Sequence, residues 1–383
     1  MQRKGYTWSA IALLGTGLTL SVPVAAQYPD FDIRGRLHLD YSVTSEDENE
    51  TFTDGFNNRR ARLGGGGALN EDWDGRVEVN VAEGSLSAAD FRLRRSLPAG
   101  GRLWLGQFKV PQGLNQLTSS NDITFIERSS VSNIIPDSRR IGVAYENTQD
   151  VFSFKTMFFQ RALGDDRGDG PDDGDYFGDQ PTGLAARAVF APHVGTGRAH
   201  FGLSAVGESQ DKAHDKSLGD RPELRDGDGG GVRLINTNVP GVEDTLKLGL
   251  EAAYIDGPFS VEGEYLQVDI DTEDGSDPTF DGWHVQGSYV LTGESRGYST
   301  GGFGGVTPAG QRGAWELAAR YSVMDLDDSG FTGGEQKNLT LGVNYYRTSN
   351  LRFMANVVFA DVEYANAPDD RPTLFGARAQ YSF

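Results

Sequence analysis

Between Phe31 and Phe383 apolar and polar side chains alternate with a period of two, in one segment after another. In FDIRGRLHLDY, Phe31, Ile33, Leu37, Leu39 and Tyr41 oppose Arg34, Arg36, His38 and Asp40. In the closing RPTLFGARAQYSF, Phe375, Ala377, Ala379, Tyr381 and Phe383 oppose Gly376, Arg378, Gln380 and Ser382. Neighbouring side chains of a strand point to opposite faces, so this pattern predicts strands with one apolar and one polar face. A soluble sheet with one face on a core shows the same alternation. No stretch beyond the first 26 residues approaches 18 apolar residues, so no membrane helix is expected there. If such a chain enters a membrane, only a closed barrel satisfies its backbone.

The alternation places strands at 31–43, 56–69, 73–82, 88–96, 101–110, 139–147, 151–160, 183–191, 199–207, 245–255, 258–270, 281–292, 313–324, 336–347, 350–361 and 372–383. Short links (70–72, 97–100, 148–150, 256–257, 348–349) contrast with long ones (44–55, 111–138, 161–182, 208–244, 271–280, 293–312, 325–335, 362–371). Acid and glycine gather in the long links, as in EDENE and GDDRGDGPDDGDYFGD. Short periplasmic turns, long extracellular loops and aromatic residues near strand ends are the marks of an outer-membrane barrel. The expected fold is therefore all-β, a transmembrane antiparallel β-barrel of 16 strands. Residues 27–383 form its single domain, and the last strand closes the cylinder.

The first 26 residues carry Arg3 and Lys4, then an apolar run ending in Val24-Ala25-Ala26, and read as a signal peptide cut after Ala26. Removing those two positive charges takes the net charge from −20 to −22, a sign that disfavours nucleic acid as a partner. With no cysteine, structure must come from packing and backbone pairing. The five histidines, His38, His193, His200, His214 and His284, form no HExxH motif, and neither catalysis nor a cofactor is expected. Asp165, Asp166, Asp169, Asp172, Asp173 and Asp175 are candidate calcium ligands, but their run lacks the spaced loop ending in a bidentate glutamate. A solvated charge run explains them as well.

A polar interior inside sixteen strands implies a water-filled channel whose narrowest point sets selectivity. Arg34 and Arg36 share the polar face of the first strand, and Arg60 and Arg62 share one parity in the second. Arg92 and Arg94 alternate with Phe91 and Leu93. These six arginines are expected to line the pore; the competing arrangement pairs them with Glu78, Glu83, Asp90 and other acids as parts of the wall. The link 111–138 is the least acidic long segment and carries apolar patches at Ile123 to Ile126 and at Ile134 and Ile135. It is a candidate to fold inward and bring Arg128, Arg139 or Arg140 to a constriction, the alternative being a subunit interface.

NNRRARLGGGGAL, LWLGQFKVPQGL, LTSSNDITFIERS and RRIGV, in this order, resemble the phosphate-selective outer-membrane porins known as the O and P porins. The resemblance implies a homotrimeric porin of the Gram-negative outer membrane, set among lipid and lipopolysaccharide, that passes small anions such as phosphate or polyphosphate. It also implies an arginine-lined constriction shaped by inward loops. On the matching segments that role falls to Arg59, Arg60 and Arg62, with Lys109 in GQFKVP, Arg128 in ERS and Arg34 on the first strand. The terminal aromatic residue resembles the signal read by the barrel-assembly machinery. Acids outnumber Lys and Arg by 55 to 35, which keeps two alternatives open: a general porin of weak or cation selectivity, and a calcium-binding structural protein of the outer membrane.

Overall fold

Sixteen antiparallel strands pair in sequence and close on themselves: Asp30–Ser45 bonds on one side to Gly55–Ala68 and on the other to Thr373–Ser382. Beyond the last rung, the Gly35 and Phe383 backbones exchange N–H to carbonyl bonds of 3.0 Å, so the chain's final residue seals the seam. The computed structural model describes residues 28–45, 52–82, 86–163, 181–227, 231–299 and 301–383. The expected signal peptide, Glu83 and the six candidate calcium ligands lie outside these residues.

The alternation read from the sequence becomes two cylindrical faces. Leu37, Leu39 and Tyr41 are 37–47 % exposed, whereas His38, Asp40 and Ser42 between them are at most 6 % exposed. On Thr279–Val290, Trp283, Val285 and Tyr289 point outward while His284, Gln286 and Ser288 point inward. Large apolar groups outside and polar groups inside invert the arrangement of a soluble core, and lipid is the medium that stabilises the inversion. Leu250 tests this directly, because it faces outward between Leu203 and Tyr265. Leu250→Arg is expected to lower the stability of the folded barrel by about 2–4 kcal/mol, the cost of a cation on the lipid face near mid-membrane. Denaturant unfolding in lipid vesicles measures it, and an unchanged midpoint would place this face outside hydrocarbon.

The strands depart from expectation where they outrun the alternation. Gly197–Asp220 and Ile235–Asp256 remain paired far into the segment read as the link 208–244, with register shifts near His214. Ala314–Asp328 and Phe331–Tyr346 likewise reduce the link 325–335 to a turn at Ser329 and Gly330. The outward faces of these extensions carry polar residues such as Asp211, Lys212 and Asn238 rather than an apolar stripe, as expected of strands beyond the lipid, while Leu218, Ile235, Val239 and Val242 form an apolar cluster on the inward side. The link 293–312 differs in kind. By strand direction it joins the end of the barrel that also holds the short turns at 257–258 and 347–350. It contains a small hairpin, Arg296–Ser299 paired with Gly302–Val306, that turns into the lumen.

Residues 110–138 also run inside the barrel, as two short helices, Leu114–Leu117 and Ser130–Ile134, joined by irregular chain. Its apolar residues pack on the inner wall: Ile123, Phe125, Ile126 and Ile135 are 1–2 % exposed. Val131 and Ile135 join a cluster with Leu266, Val268, Phe280 and Met324. Its polar backbone is satisfied by inward-facing side chains. The Thr124 carbonyl accepts from Asn344 and Arg352, the Ile126 carbonyl from Arg378, and the Asn121 carbonyl from Gln380. Glu264 accepts from the Leu114 and Asn115 N–H groups. Irregular backbone is tolerable at this depth only with such partners.

Candidate functional site in the lumen

The inward segment and the small hairpin fill one side of the barrel and leave a passage along the other, where Gly55–Ala68 through Thr182–Phe190 form the wall. Register decides which side chains enter it. His38 pairs with Arg60 and Leu39 with Asn58, so Arg59 is the extra residue of a β-bulge. Strict alternation would send Arg59 and Arg60 to opposite faces; the bulge turns both inward. Arg59 grips Glu127 through Nε at 2.7 Å and Nη2 at 3.0 Å, and Arg60 reaches the same carboxylate at 3.4 Å.

Below this pair the guanidinium groups share carboxylates. Arg36, Arg62 and Arg76 converge on Glu78 at 3.0, 3.2 and 2.7 Å. Gly64 stands opposite Glu78, where a Cβ would lie 2.2 Å from the Val77 carbonyl oxygen, so only glycine lets the two strands approach this closely. Arg139 and Arg76 meet Asp90 at 2.6 and 3.4 Å. Arg92 and Arg94 reach Asp74 at 3.5 and 2.8 Å, and their guanidinium carbons lie 4.7 and 4.9 Å from the Trp104 ring centre. The expected pairing with Glu78 and Asp90 is thus present, and it coexists with exposure to the passage.

Lys109 and Arg128 behave differently, because they hold backbone rather than carboxylates. The Lys109 ammonium donates to the carbonyls of Gln116, Leu117 and Thr118 at 2.5–3.3 Å. Arg128 donates to those of Asn115 and Thr118 at 2.8 and 2.7 Å. Both therefore fix the end of the helix Leu114–Leu117 that narrows the channel. Burial brings the Arg128 guanidinium down to about 10, against the pull of Glu127, and it stays charged at neutral pH. Arg34 stands apart: it pairs with Asp32 at 3.5 Å with 58 % of its side chain exposed, and it is not on the cavity wall.

The passage encloses a cavity of about 1000 Å³. Thirteen of its lining residues are Lys or Arg and three, Asp90, Asp122 and Glu146, are acidic. Arg102, Lys155 and Arg187 belong to that wall although no motif marks them. Parity alone would have found Lys155, between Phe154 and Thr156, and Arg187, between Ala186 and Ala188. The glycine-rich hairpin contributes Gly297, Tyr298 and Phe303 to the opposite side. A second cavity, of about 220 Å³, holds Asp220, Arg221 and Arg233, and shares Arg59 and Asn133 with the first. Among the described residues no cluster of three or more histidines and carboxylates is arranged to hold a metal ion.

Known proteins share this plan. The chain is 28% identical to Porin O of Pseudomonas aeruginosa over 393 residues, covering 92% of this chain and 88% of that protein. An anion-selective porin from Comamonas acidovorans has a similar fold, with a TM-score of 0.59 at 14% identity over 92% of this chain and 99% of the other. OprB of Pseudomonas putida gives a TM-score of 0.60 at 11% identity over 92% and 94%. Residues 31–383 match the family described as phosphate-selective porin O and P, and the chain belongs to that family as a β-barrel porin of the Gram-negative outer membrane, a channel for small solutes.

Proposed function

We propose that this porin is a passive channel for small anions, with phosphate or polyphosphate among its solutes, and that it assembles as a homotrimer in lipid and lipopolysaccharide. The observation that carries the reading is the reversal of sign between chain and passage. Acids exceed Lys and Arg by 55 to 35 overall, yet basic residues exceed acidic ones by thirteen to three on the cavity wall. Among the described residues, these thirteen basic groups meet seven carboxylates when the paired Asp74, Glu78, Glu127 and Glu251 are added to the three lining acids, which leaves basic groups in the majority. Low-dielectric walls focus such a field and raise the local concentration of counter-ions. Arg59 lines both cavities, where an anion leaves the smaller for the larger, and Arg60 and Arg62 follow it on the wall of the larger; Arg36, Arg92 and Arg94 continue the basic wall beyond them, and Lys109 and Arg128 hold the inward helix.

The test is the reversal potential of the purified porin in planar bilayers under a salt gradient, followed by titration of phosphate against the chloride current. An anion-selective potential with block by phosphate is the expected result. A cation-selective potential without a phosphate effect would make this a general porin whose acids dominate permeation. Mass measurement of the detergent-extracted protein before and after heating reports the trimer.

A further inference from the structure

Arg59, which lines both cavities, and Arg60, beside it on the wall of the larger, are already occupied. Glu127 takes both Arg59 donors that face it, at 2.7 and 3.0 Å, and an Arg60 donor at 3.4 Å. The carboxylate does not swing freely. Arg378 holds it at 3.1 Å while gripping Asp40 through two bonds of 2.6 Å and the Ile126 carbonyl through another of 2.6 Å. Arg320 fixes the Glu127 carbonyl at 3.0 Å. Burial alone would raise the Glu127 carboxyl, but Arg59, Arg60 and Arg378 hold it well below the ordinary carboxylate range, so it is charged whenever the channel works. A carboxylate and a small oxyanion present the same ligand to an arginine fork.

We infer that Glu127 is an internal competitor, a carboxylate built into the neck that a permeating oxyanion must displace from Arg59 and Arg60. The inference rests on the anion reading of the channel and adds the residue that sets how tightly the neck holds its solute. Conduction needs a site strong enough to admit an ion and weak enough to release it. Two unoccupied arginine forks in a narrow, partly desolvated passage would hold a multivalent anion firmly. Exchange against a tethered carboxylate lowers the net gain of binding and shortens the stay, while the forks remain in place as selectivity elements.

Planar-bilayer recordings of full-length Glu127→Gln, with inorganic phosphate as the probe, test it. The amide keeps the shape and two acceptor directions but not the charge. Half-block of the chloride current is expected at about tenfold lower phosphate than in the wild type, with longer single blocking events. Asp40→Asn removes one charge from the other side of Arg378, off the cavity wall, and is expected to move the half-block by less than about twofold. Equal shifts in both variants would show only a long-range field effect and overturn the inference, as would an unshifted Glu127→Gln. Should Glu127→Gln fail to assemble, Glu127→Asp replaces it. One methylene shorter, it withdraws the carboxylate from the forks at constant charge, and tighter phosphate block at an unchanged reversal potential supports the same conclusion. The anion reading itself is judged separately, on the sign of the wild-type potential, whereas the competitor role is judged on the difference between wild type and variants.

Discussion

Replacing Arg59 and Arg60 together by alanine is expected to cut the anion-to-cation permeability ratio at least about tenfold, and to bring the reversal potential towards cation selectivity. The charges at the neck explain the size of the effect. Arg59, Arg60 and Arg378 face Glu127 and Asp40, three positive against two negative, a net of +1. Without the first two arginines the balance becomes one against two, a net of −1, at the point where the two cavities meet. At an effective dielectric constant of about 20, a unit charge some 6 Å from a permeating ion contributes about 3 kcal/mol, so even a strongly screened remainder exceeds the 1.4 kcal/mol of a tenfold change. Paired recordings of the double variant and of Arg34→Ala separate neck from periphery. Arg34 lies with Asp32 outside the cavity, and its removal is expected to leave the ratio unchanged. A double variant with the wild-type ratio would move the selectivity filter elsewhere on the wall.

The contrast between Arg59 and Arg34 shows what the sequence could convey. Alternation located all sixteen strands because lipid imposes a period of two wherever it touches the chain, as at Leu37, Leu39 and Tyr41. It fell silent where the strands leave the bilayer, so the paired segments around Lys216 and Asn238 read as loop. Parity assigned Arg36, Arg60, Arg62, Arg92 and Arg94 to the lumen side, but it would have put Arg59 outside, because a bulge is one residue long and leaves no periodic trace. It also gave Arg34 the polar face without saying how far along the barrel that face stays enclosed. The inward path of residues 110–138 was legible only as an unusual composition, apolar and poor in acid. Its anchors, Glu264, Arg352 and Gln380, are scattered over more than a hundred residues and become one site only after the barrel closes. The hairpin of residues 296–306 carried still less signal, since a glycine-rich run such as YSTGGFGGV reads as any surface loop.

Arg320→Ala is expected to loosen both inward elements at once. Its guanidinium, 2 % exposed, donates to Glu223 at 2.9 and 2.5 Å and to the Glu127 carbonyl at 3.0 Å, with Phe125 4.5 Å from its centre. Glu223 belongs to the turn between the two longest strands, and Phe125 and Glu127 to the segment 110–138. One side chain of the wall therefore ties two separate pieces of chain into the lumen. Truncating it leaves the buried Glu223 carboxylate with only hydroxyl and amide partners, Ser322, Thr340 and the Ser130 N–H. Breaking one half of a buried ion pair costs about 3–5 kcal/mol, more than most surface changes by several fold. The strands themselves keep their ladders and their lipid face, so the cost should fall on the lumen rather than on assembly. The barrel is expected to form and insert, with higher and noisier single-channel conductance as the inward segment samples detached positions. Arg320→Met is a control for volume alone: it retains packing against Phe125 but strands the same carboxylate, and should share the noise. If both variants conduct as quietly as the wild type, the inward segment is held by its other anchors, Arg352, Arg378 and Glu264, and the pin at Arg320 is redundant.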